Sequence, residues 1–590
     1  MKTKLCFTII LLSLFFFSPL LRRGAGGEAF SQSPNWLWAK GMGGTNNDIG
    51  YSIAIDASGN VYTTGHFSGT VDFDPGIGVY NLTHGGCFFS KLDASGNFVW
   101  AKEIFWQVIG YSIEIDTAGN GDVYTTGLFY GTIDFDPDSS GIFNLTAAPG
   151  SFDIFISKLD SSGNFVWAKR MGGTGYDEGR SIAVDPAGSG DVYTTGRFSG
   201  TADFDPGPGV YNLTSAGNYE IFISKLDSSG NFVWAKAMGG TDSDIAYSIA
   251  IDPTGSGDVY TTGFFIGTVD FDPDSSGIFN LTSAGSYDIF ISKLDGSGNF
   301  IWAKAIGGAS VSGDIGYSIA IEPSGSGDVY TTGVFAGIVD FDPDTGIFNL
   351  TGNGIFISKL DSSGNFVWAK AIVGTNSAVG FSIALDPAGS GDVYTTGYFH
   401  GTVDFDPDSM GIFNLTGNAI FLSKLDSSGN FVWAKAMGGG GGGTLNHGYS
   451  IAFNTSGNLY ITGMFNSIII DFDTISLTNA DNSGYTSDIF IAKLGNSTTG
   501  IENIENMNGI SVFPNPVISE FTIYDLGIKI YGIEIYDMLG QIVFQSKISP
   551  DVSGLKSQIT IDVSKWNAGI YVVQIKSESF IETKKFIVVK

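Results

Sequence analysis

The stretch Ser224-Lys-Leu-Asp-Ser-Ser-Gly-Asn-Phe-Val-Trp-Ala-Lys236 decides the fold of this chain. Two short runs of strand-forming residues flank a turn in which Asp and Asn bond their own backbone and Gly supplies positive φ, so the stretch predicts a β-hairpin. Its Trp recurs at spacings of 62 to 68 residues, at Trp38, Trp100, Trp167, Trp234, Trp302, Trp368 and Trp433. Self-similarity at a nearly fixed period predicts a repeat architecture.

Four strand patterns recur in a fixed order around this hairpin. The first is typified by Tyr51–Asp56, the second by Val61–Gly65 and the third by Phe155–Asp160, and the fourth is Asn-Phe-Val-Trp-Ala-Lys. In the first pattern bulky isoleucines alternate with Ser and Ala, so one face of the strand is large and the other is small. Because both faces are uncharged, we expect each sheet to be covered on both sides by its neighbours.

Four antiparallel strands covered on both faces by like units are typical of a propeller blade. A solenoid is the alternative, but it needs atypical capping repeats, which the sequence does not show. The array begins with a lone fourth strand, Trp36–Lys40, and ends with a third strand, Ile489–Leu494, that has no fourth. We therefore predict an all-β fold in which residues 35–494 form a seven-bladed β-propeller closed by its N-terminal strand. The third-strand lysines that give this count are Lys91, Lys158, Lys225, Lys293, Lys359, Lys424 and Lys493.

These units resemble the bacterial β-propeller repeats called SBBP repeats. The matching motifs are Tyr-Ser-Ile-Ala-Ile-Asp, Val-Tyr-Thr-Thr-Gly and Ser-Lys-Leu-Asp followed by Phe-Val-Trp-Ala-Lys. The resemblance covers roughly residues 35–494. It implies a fold and says almost nothing about activity.

The chain changes character after the repeats. Residues 495–510 form a polar linker, and residues 511–590 contain short alternating strands that predict a small β-sandwich. Their ordered motifs, Pro-Asn-Pro, Tyr-Asp-Met-Leu-Gly and Gly-Ile-Tyr-Val-Val, resemble the type A C-terminal sorting domain of the type IX secretion system. The resemblance implies that the type IX machinery is a partner. The alternative is an ordinary carbohydrate-binding sandwich.

Residues 1–29 predict a secretory signal peptide. Lys2 and Lys4 precede an apolar run, and small residues follow it around Ala25 and Ala29. A membrane anchor is the alternative, but Pro19 interrupts the run and the run is short for a span. We therefore expect no transmembrane segment in the mature chain and a location outside the cell or on its outer surface.

The net charge of −30 excludes some partners, because such a field repels nucleic acid and anionic membrane. It suits cations or simply keeps the protein soluble. Cys6 and Cys87 are the two cysteines, and Cys6 lies in the predicted signal peptide. The mature fold therefore has to be stable without an internal disulfide.

An acidic motif, Asp-Phe-Asp-Pro, recurs between the second and third strands. Carboxylates at alternate positions followed by Gly are typical of loops that bind calcium, the one cofactor that the sequence suggests. A polar strand end with a Pro turn is the alternative, because no closing bidentate acid follows and two copies carry Gly76 and Gly207 in place of a third Asp. The predicted calcium ligands are Asp134, Asp136, Asp138, Asp270, Asp272, Asp274, Asp340, Asp342, Asp344, Asp404, Asp406 and Asp408.

No motif of the sequence forms a catalytic constellation. There is no nucleophile elbow, zinc-binding helix motif or phosphate loop, and the four histidines stand apart along the chain. Acids that recur in every unit with the same neighbours are explained by the blade, whereas a catalytic pair needs two carboxylates in unlike environments. We therefore predict that the protein is not an enzyme.

Residues that break the repeat are better functional candidates. They cluster in the loops that join a fourth strand to the next unit, and we predict ligand binding by Trp106, Tyr176 and His447. Packing between blades is the alternative for the two aromatic residues. The sequence thus predicts an exported propeller that acts in binding or display. Its predicted ligand is an extracellular glycan or protein. An extracellular glycosidase or lyase and a purely structural surface protein are the alternatives.

Overall fold

The structure is a computed structural model. It describes residues 33–495 except 139–140, 275–276, 409–410, 440–444 and 482–483, together with 22–23, 29–30 and parts of 511–589. Apart from residues 22–23 and 29, the predicted signal peptide 1–29 lies outside the described residues, and so do residues 496–510 of the predicted linker. The chain divides into two compact units, Met1–Ser497 and Thr498–Lys590.

The first unit contains seven sets of four antiparallel strands, which we number sheet 1 to sheet 7. Their strands, in pairing order, are Ile49–Ile55, Val61–Phe67, Gly86–Leu92 and Phe98–Phe105 in sheet 1; Val108–Ile115, Val123–Tyr130, Phe152–Leu159 and Phe165–Gly173 in sheet 2; Glu178–Val184, Val192–Phe198, Glu220–Leu226 and Phe232–Met238 in sheet 3; Ile245–Ile251, Val259–Phe265, Asp288–Leu294 and Phe300–Ile306 in sheet 4; Ile315–Ile321, Val329–Asp340, Asn349–Leu360 and Phe366–Gly374 in sheet 5; Ala378–Leu385, Val393–Asp404, Asn414–Leu425 and Phe431–Met437 in sheet 6; and Asn446–Phe453, Leu459–Phe465, Asp488–Leu494 and Trp36–Gly44 in sheet 7. The predicted all-β class is confirmed.

A hairpin arm connects the second and third strands of each sheet. In sheets 5 and 6 the arm continues those two strands, and in the others it is separate: Val71–Asp72 with Asn81–Leu82, Thr132–Asp134 with Asn144–Thr146, Thr201–Asp203 with Asn212–Thr214, Thr268–Asp270 with Asn280–Thr282, and Ile469–Phe472 with Ile475–Thr478. Each arm carries the acidic motif. In six of the arms the first Asp pairs with the end of the preceding sheet's fourth strand or with the residue just after it, as in Gly172 with Asp203 and Val373 with Asp404.

The first strands contact one another in sequence, and the first strand of sheet 7 contacts that of sheet 1. Each first strand has a β-bulge at its first motif position, as between Gly50 and Ser52, which leaves one residue out of the ladder: an aromatic residue in six sheets and Arg180 in sheet 3. The Ser that follows the bulge accepts a hydrogen bond from the backbone of the neighbouring first strand. The accepting and donating residues are Ser52 and Ile113, Ser112 and Ile182, Ser181 and Ile249, Ser248 and Ile319, Ser318 and Ile383, Ser382 and Ile451, and Ser450 and Ile53.

The core lies between successive sheets. One cluster joins Tyr193 and Ile221 of sheet 3 to Phe290 of sheet 4, and a comparable cluster joins Ile489 of sheet 7 to Phe67 of sheet 1. The Phe of every acidic motif is fully buried and packs on a third-strand Phe at 4.9 to 5.4 Å between ring centroids. The motif therefore fastens the arm to the core through its aromatic residue.

Sheet 7 is built from both ends of the array. The strand Trp36–Gly44 pairs antiparallel with Asp488–Leu494, in a register that places Ala39 opposite Ala492. Trp36 is buried, and its ring meets that of Phe472 edge to face at 5.3 Å. The lone fourth strand at the beginning of the array and the lone third strand at its end are thus neighbours.

The second unit is also built from antiparallel strands. One sheet contains Ser511–Phe513, Glu520–Tyr524 and Gln558–Asp562, and the other contains Ile542–Lys547, Ile530–Asp537, Gly569–Ser577 and Ile581–Val588. Buried side chains come from both sheets, for example Ile561 and Val573. The Pro-Asn-Pro motif lies outside the described residues.

Candidate functional site

In six of the seven arms, the first two carboxylates of the acidic motif accept hydrogen bonds from the backbone of their own arm. Asp134 Oδ1 accepts hydrogen bonds from the N–H groups of Asp136, at 3.1 Å, and Phe143, at 2.7 Å. Asp136 Oδ1 in turn accepts a hydrogen bond from the N–H of Asp138 at 2.9 Å. The same bonds recur in the arms that begin at Asp270, Asp340 and Asp404. These side chains therefore shape the tip of the arm.

In the four arms that carry a third Asp, its carboxylate pairs with a Lys of the preceding sheet, and in the last arm the second Asp does so. This Lys ends the repeated Trp-Ala-Lys, so the ion pair crosses from one sheet to the next. The pairs are Lys102–Asp138 at 2.5 Å, Lys236–Asp274 at 2.7 Å, Lys304–Asp344 at 2.6 Å, Lys370–Asp408 at 2.8 Å and, in the variant last copy, Lys435–Asp473 at 2.7 Å. In the described part of the chain no three His, Cys, Asp or Glu residues group together as a metal site. Calcium binding at these arms stays a prediction.

Trp106 lies in a strained turn between sheets 1 and 2. Only Trp106 and Gln107 separate Phe105 from Val108, and both have left-handed φ values, of 52° and 55°. Two consecutive non-glycine residues in this region cost conformational energy and persist only when their surroundings hold them. The backbone N–H of Trp106 donates to the carbonyl of Gly85 at 3.0 Å, which anchors the turn.

A groove of about 380 Å³ lies beside this turn and is lined by Trp106, Gln107, His66 and His84. Trp106 is 71% exposed and the adjacent Phe105 is 50% exposed, which is unusual for neighbouring large aromatic side chains. The two histidines, which are separate in sequence, therefore line one groove. We name it the Trp106 groove.

Polar groups accompany the aromatic surface of the Trp106 groove. The His84 ring packs on Phe105 at 4.7 Å, and its Nδ1 lies 2.7 Å from Glu103 Oε1. Burial lowers the pKa of His66, so this imidazole is neutral near pH 7. The groove thus offers an aromatic face together with imidazole and amide groups that donate or accept hydrogen bonds.

Tyr176 has a different environment. Its ring lies 5.1 Å from Phe152 and 6.2 Å from Tyr219, and the guanidinium of Arg197 lies 5.0 Å from its centroid. Burial raises the pKa of Tyr176, and the charge of Glu178 adds to that rise. These contacts place Tyr176 in a packed aromatic and cationic cluster.

An ion-pair cluster lies beside Tyr176 and is formed by three residues of sheet 3. Glu178 is fully buried, and its two carboxylate oxygens lie 2.7 Å from Arg180 Nε and 2.8 Å from Arg197 Nε. The Arg180 guanidinium stacks on Tyr111 at 4.8 Å and on Tyr247 at 5.4 Å. A buried carboxylate with two guanidinium partners is well compensated, so the cluster has a structural explanation.

Arg180 completes a belt of side chains at the bulges of the first strands. Neighbouring aromatic rings of the belt lie 5.1 to 5.5 Å apart, and Arg180 bridges the remaining two. Its members are Tyr51, Tyr111, Arg180, Tyr247, Tyr317, Phe381 and Tyr449. Burial raises the pKa of Tyr317 to about 12, so its phenol stays protonated.

His447 contacts this belt. Its ring stacks on Tyr398 at 4.3 Å with an interplanar angle of 20°, and its Nδ1 lies 2.9 Å from the Tyr449 hydroxyl. Burial, aided by the nearby His400, lowers the pKa of His447 to about 4. Trp106, Tyr176 and His447 thus each have their own set of neighbours, and of the three only Trp106 lines the groove.

Glu114 is a residue that the sequence reasoning missed. It lies on the wall of a cavity bounded by the first strands, where it replaces an Ala of the repeated motif. The signal was one charged residue within an otherwise uncharged first-strand pattern. Burial raises its pKa to about 7.

Comparisons with known proteins agree with both parts of the sequence interpretation. Residues 38–66 match the family model for the β-propeller repeat called SBBP, and residues 511–589 match that for the secretion system C-terminal sorting domain. The chain therefore carries an SBBP-type repeat and a type IX sorting domain. This sorting domain implies export through the type IX machinery to the cell surface or the extracellular space. Within the described residues there is no helix that is apolar and long enough to cross a membrane.

Three relatives show partial similarity. The chain is 24% identical over 74% of its length to an uncharacterized WD repeat-containing protein, L264, of Acanthamoeba polyphaga mimivirus. It is 26% identical over 31% of its length to the regulatory protein FlaEY of Caulobacter vibrioides, and 27% identical over 22% to an endo-acting ulvan lyase of Formosa agariphila. The chain spans 36%, 18% and 23% of the lengths of these relatives. Sqt1 from Chaetomium thermophilum superposes over 79% of the chain with a TM-score of 0.36 and 11% identity.

Proposed function

We propose that this exported protein is a seven-bladed β-propeller, closed by its N-terminal strand, that binds an extracellular carbohydrate in the Trp106 groove. Two observations support the ring. Hydrogen bonds from Ile N–H groups to Ser hydroxyls link all seven first strands, and the bond from Ile53 N–H to Ser450 Oγ, at 3.3 Å, links sheet 1 to sheet 7. Trp38 Nε1 donates to the carbonyl of Ala94 in sheet 1 at 3.3 Å, as Trp167 does to Ser228 in sheet 3 at 3.3 Å.

The exposed Trp106 in a strained turn is the observation that supports carbohydrate binding. An indole face packs well on the C–H groups of a sugar ring, and its exposure leaves that face available. His66, His84 and Gln107 supply the hydrogen-bonding groups that sugar hydroxyls need. The groove is built by one junction between sheets, so it is not repeated around the array.

A glycan array probed with the full chain tests this proposal. We expect binding to a subset of polysaccharide fragments, and we expect Trp106→Ala to weaken that binding at least tenfold. Tyr485→Ala is the matched control, because Tyr485 is also a highly exposed aromatic residue, at 88%. Equal binding by the wild type and the Trp106 variant would show that the groove is not the site.

An extracellular carbohydrate-active enzyme is the second candidate. The similarity to the endo-acting ulvan lyase favours it, and His84 with Glu103, whose Nδ1 and Oε1 atoms lie 2.7 Å apart beside the groove, would then be the acid–base pair. The full chain should then shorten ulvan and release unsaturated products that absorb ultraviolet light. His84→Ala would abolish that release. Intact ulvan after prolonged incubation would leave carbohydrate binding as the better account.

A further inference from the structure

The first strands enclose a cavity that the groove does not reach. It consists of two adjoining pockets of about 410 and 420 Å³, and both have Glu114, Ile182 and Ile249 on their walls. Such volumes are far larger than the space of a single water molecule, so the cavity has room for a small organic molecule. We name it the inner cavity.

Most of the side chains that line the inner cavity are apolar, while polar atoms supply about half of its exposed wall. Isoleucines of the first strands, such as Ile53 and Ile319, contribute much of the apolar part, and prolines such as Pro253 lie at the strand ends. Among the described residues that line it, the carboxylates are Glu114, Asp116 and Asp185, and there is no Lys, Arg or His. Asp116 and Asp185 already accept hydrogen bonds from the N–H groups of nearby turns.

Glu114 is the charged group that the repeat does not explain. The other six sheets carry Ala at its position: Ala54, Ala183, Ala250, Ala320, Ala384 and Ala452. In the part of the chain that the structure describes, its carboxylate has one hydrogen bond, from the backbone N–H of Ile115 at 3.1 Å. Glu114 is partly buried, and with a single protein donor its carboxylate keeps acceptor capacity for a ligand.

We propose that the inner cavity binds a small organic cation, whose ammonium group meets the Glu114 carboxylate while its hydrocarbon part packs on the isoleucine wall. A positive charge would stabilise the ionised carboxylate, which the cavity otherwise disfavours. Burial of the hydrocarbon part adds an apolar contribution to binding. The strongly negative chain, with a net charge of −30, also attracts cations from solution.

Calorimetric titration of the full chain with n-butylammonium chloride at pH 8 and constant ionic strength tests the proposal. We expect saturable binding at one site and at least tenfold weaker binding of n-butanol, which has the same hydrocarbon part without the charge. Glu114→Ala should weaken n-butylammonium binding at least tenfold. This substitution introduces the residue that the other six sheets carry, so the fold should tolerate it.

Two further variants separate the charge from other effects. Glu114→Gln keeps the size of the side chain, and we expect it to lose binding as Glu114→Ala does. Trp106→Ala changes the groove alone and should bind n-butylammonium like the wild type. Absence of saturable binding by the wild type, or unchanged affinity in either Glu114 variant, would overturn the proposal.

Discussion

The Nζ atom of Lys236 lies 2.7 Å from Oδ1 of Asp274, and this ion pair joins the fourth strand of sheet 3 to the arm of sheet 4. The Lys side chain is 17% exposed and the Asp side chain 40%. The arms of sheets 1 and 3 carry Gly76 and Gly207 at this position and the arm of sheet 7 carries Ile475, whereas the other four arms carry the acid. The third Asp of the motif therefore accompanies a contact between neighbouring sheets.

Removing this pair should destabilise the protein slightly. In a double-mutant cycle with Lys236→Ala and Asp274→Ala we expect a coupling free energy of about 0.5 kcal/mol, because solvent screens half-exposed ion pairs. The coupling should shrink at high salt. The measurement is thermal or denaturant unfolding. Lys169→Ala is the control, since Lys169 precedes the arm that carries Gly207; an equal loss of stability in this variant would contradict the role of the pair.

Calcium provides a second test of the same arms. Because lysines already neutralise the third carboxylates, we expect millimolar calcium to leave the melting temperature within about 1 °C of its value in sodium chloride of equal ionic strength. A rise that a chelator reverses would instead establish the predicted calcium sites. Changing Asp270, Asp272 and Asp274 together to Asn would then remove about one ion from the stoichiometry.

The free energy of unfolding should decrease as the pH rises, because Asp48 is buried. Burial, together with the nearby Asp488, raises the pKa of Asp48 to about 8. The unfolded chain gives up this proton near pH 4, so the folded state holds more protons between about pH 4 and 8 and its free energy of unfolding declines as the pH rises. Asp48→Asn should reduce that decline by on the order of 2 kcal/mol, measured by denaturant unfolding at pH 5 and pH 8.

The chain itself suggests that Asn is tolerated at this kind of position. In sheet 7, Asn446 Oδ1 accepts hydrogen bonds from the N–H groups of Asn466 and Ser467, much as Asp48 Oδ1 accepts one from Ser68. Asp562→Asn, on an exposed side chain, is the control. A pH profile that Asp48→Asn leaves unchanged would assign the decline to other groups.

Deleting residues 36–40 should destabilise the repeat unit strongly. The deletion removes the partner strand of Asp488–Leu494 and exposes an unpaired edge near Phe490. We expect a melting temperature lower by at least 10 °C and additional oligomers in size-exclusion chromatography, because a domain of this size loses several kcal/mol with a buried strand. Leu37→Ala, at a half-exposed position of the same strand, should have little effect. Unchanged melting and a single monomer peak would refute the proposed closure.

Export should require the second unit. A variant that ends at Ser497 keeps the entire first unit, so we expect it to fold with a melting transition like that of the full chain. In a host with a type IX system it should accumulate in the periplasm, as judged by cell fractionation and surface proteolysis. Surface display of this variant at the level of the full chain would show that residues 498–590 are not the sorting signal.

The sequence predicted the repeated strands because each is a short alternating run bounded by turn residues, as in Tyr51–Asp56. It did not predict the Lys236–Asp274 pair, because the two residues belong to different repeats and their proximity depends on how neighbouring sheets pack. The sequence likewise did not predict that His66 and His84 share a site. They are far apart in sequence, and the fold places both on the wall of one groove.

Glu114 was missed for a different reason. The common first-strand motif has Ala at this position. A single Glu in one of seven copies leaves the spacing of the repeats unchanged. In a repeat sequence the common pattern is easy to recognise, and single residues that deviate from it are easily overlooked. The functional candidates Trp106 and Glu114 are both such departures, one in a connecting turn and one within a strand.

The mixed origin of sheet 7 has a consequence for the order of assembly. Each of sheets 1 to 6 is built from one continuous segment, so each can form once its own four strands have been exported. Trp36–Gly44 is different, because its partner strand Asp488–Leu494 lies at the far end of the array. Contacts between such distant segments are slow to form, because a very long loop has to close first. In the proposed ring, a chain halted partway through export would therefore lack sheet 7, and the ring would close only after the last repeat has been exported.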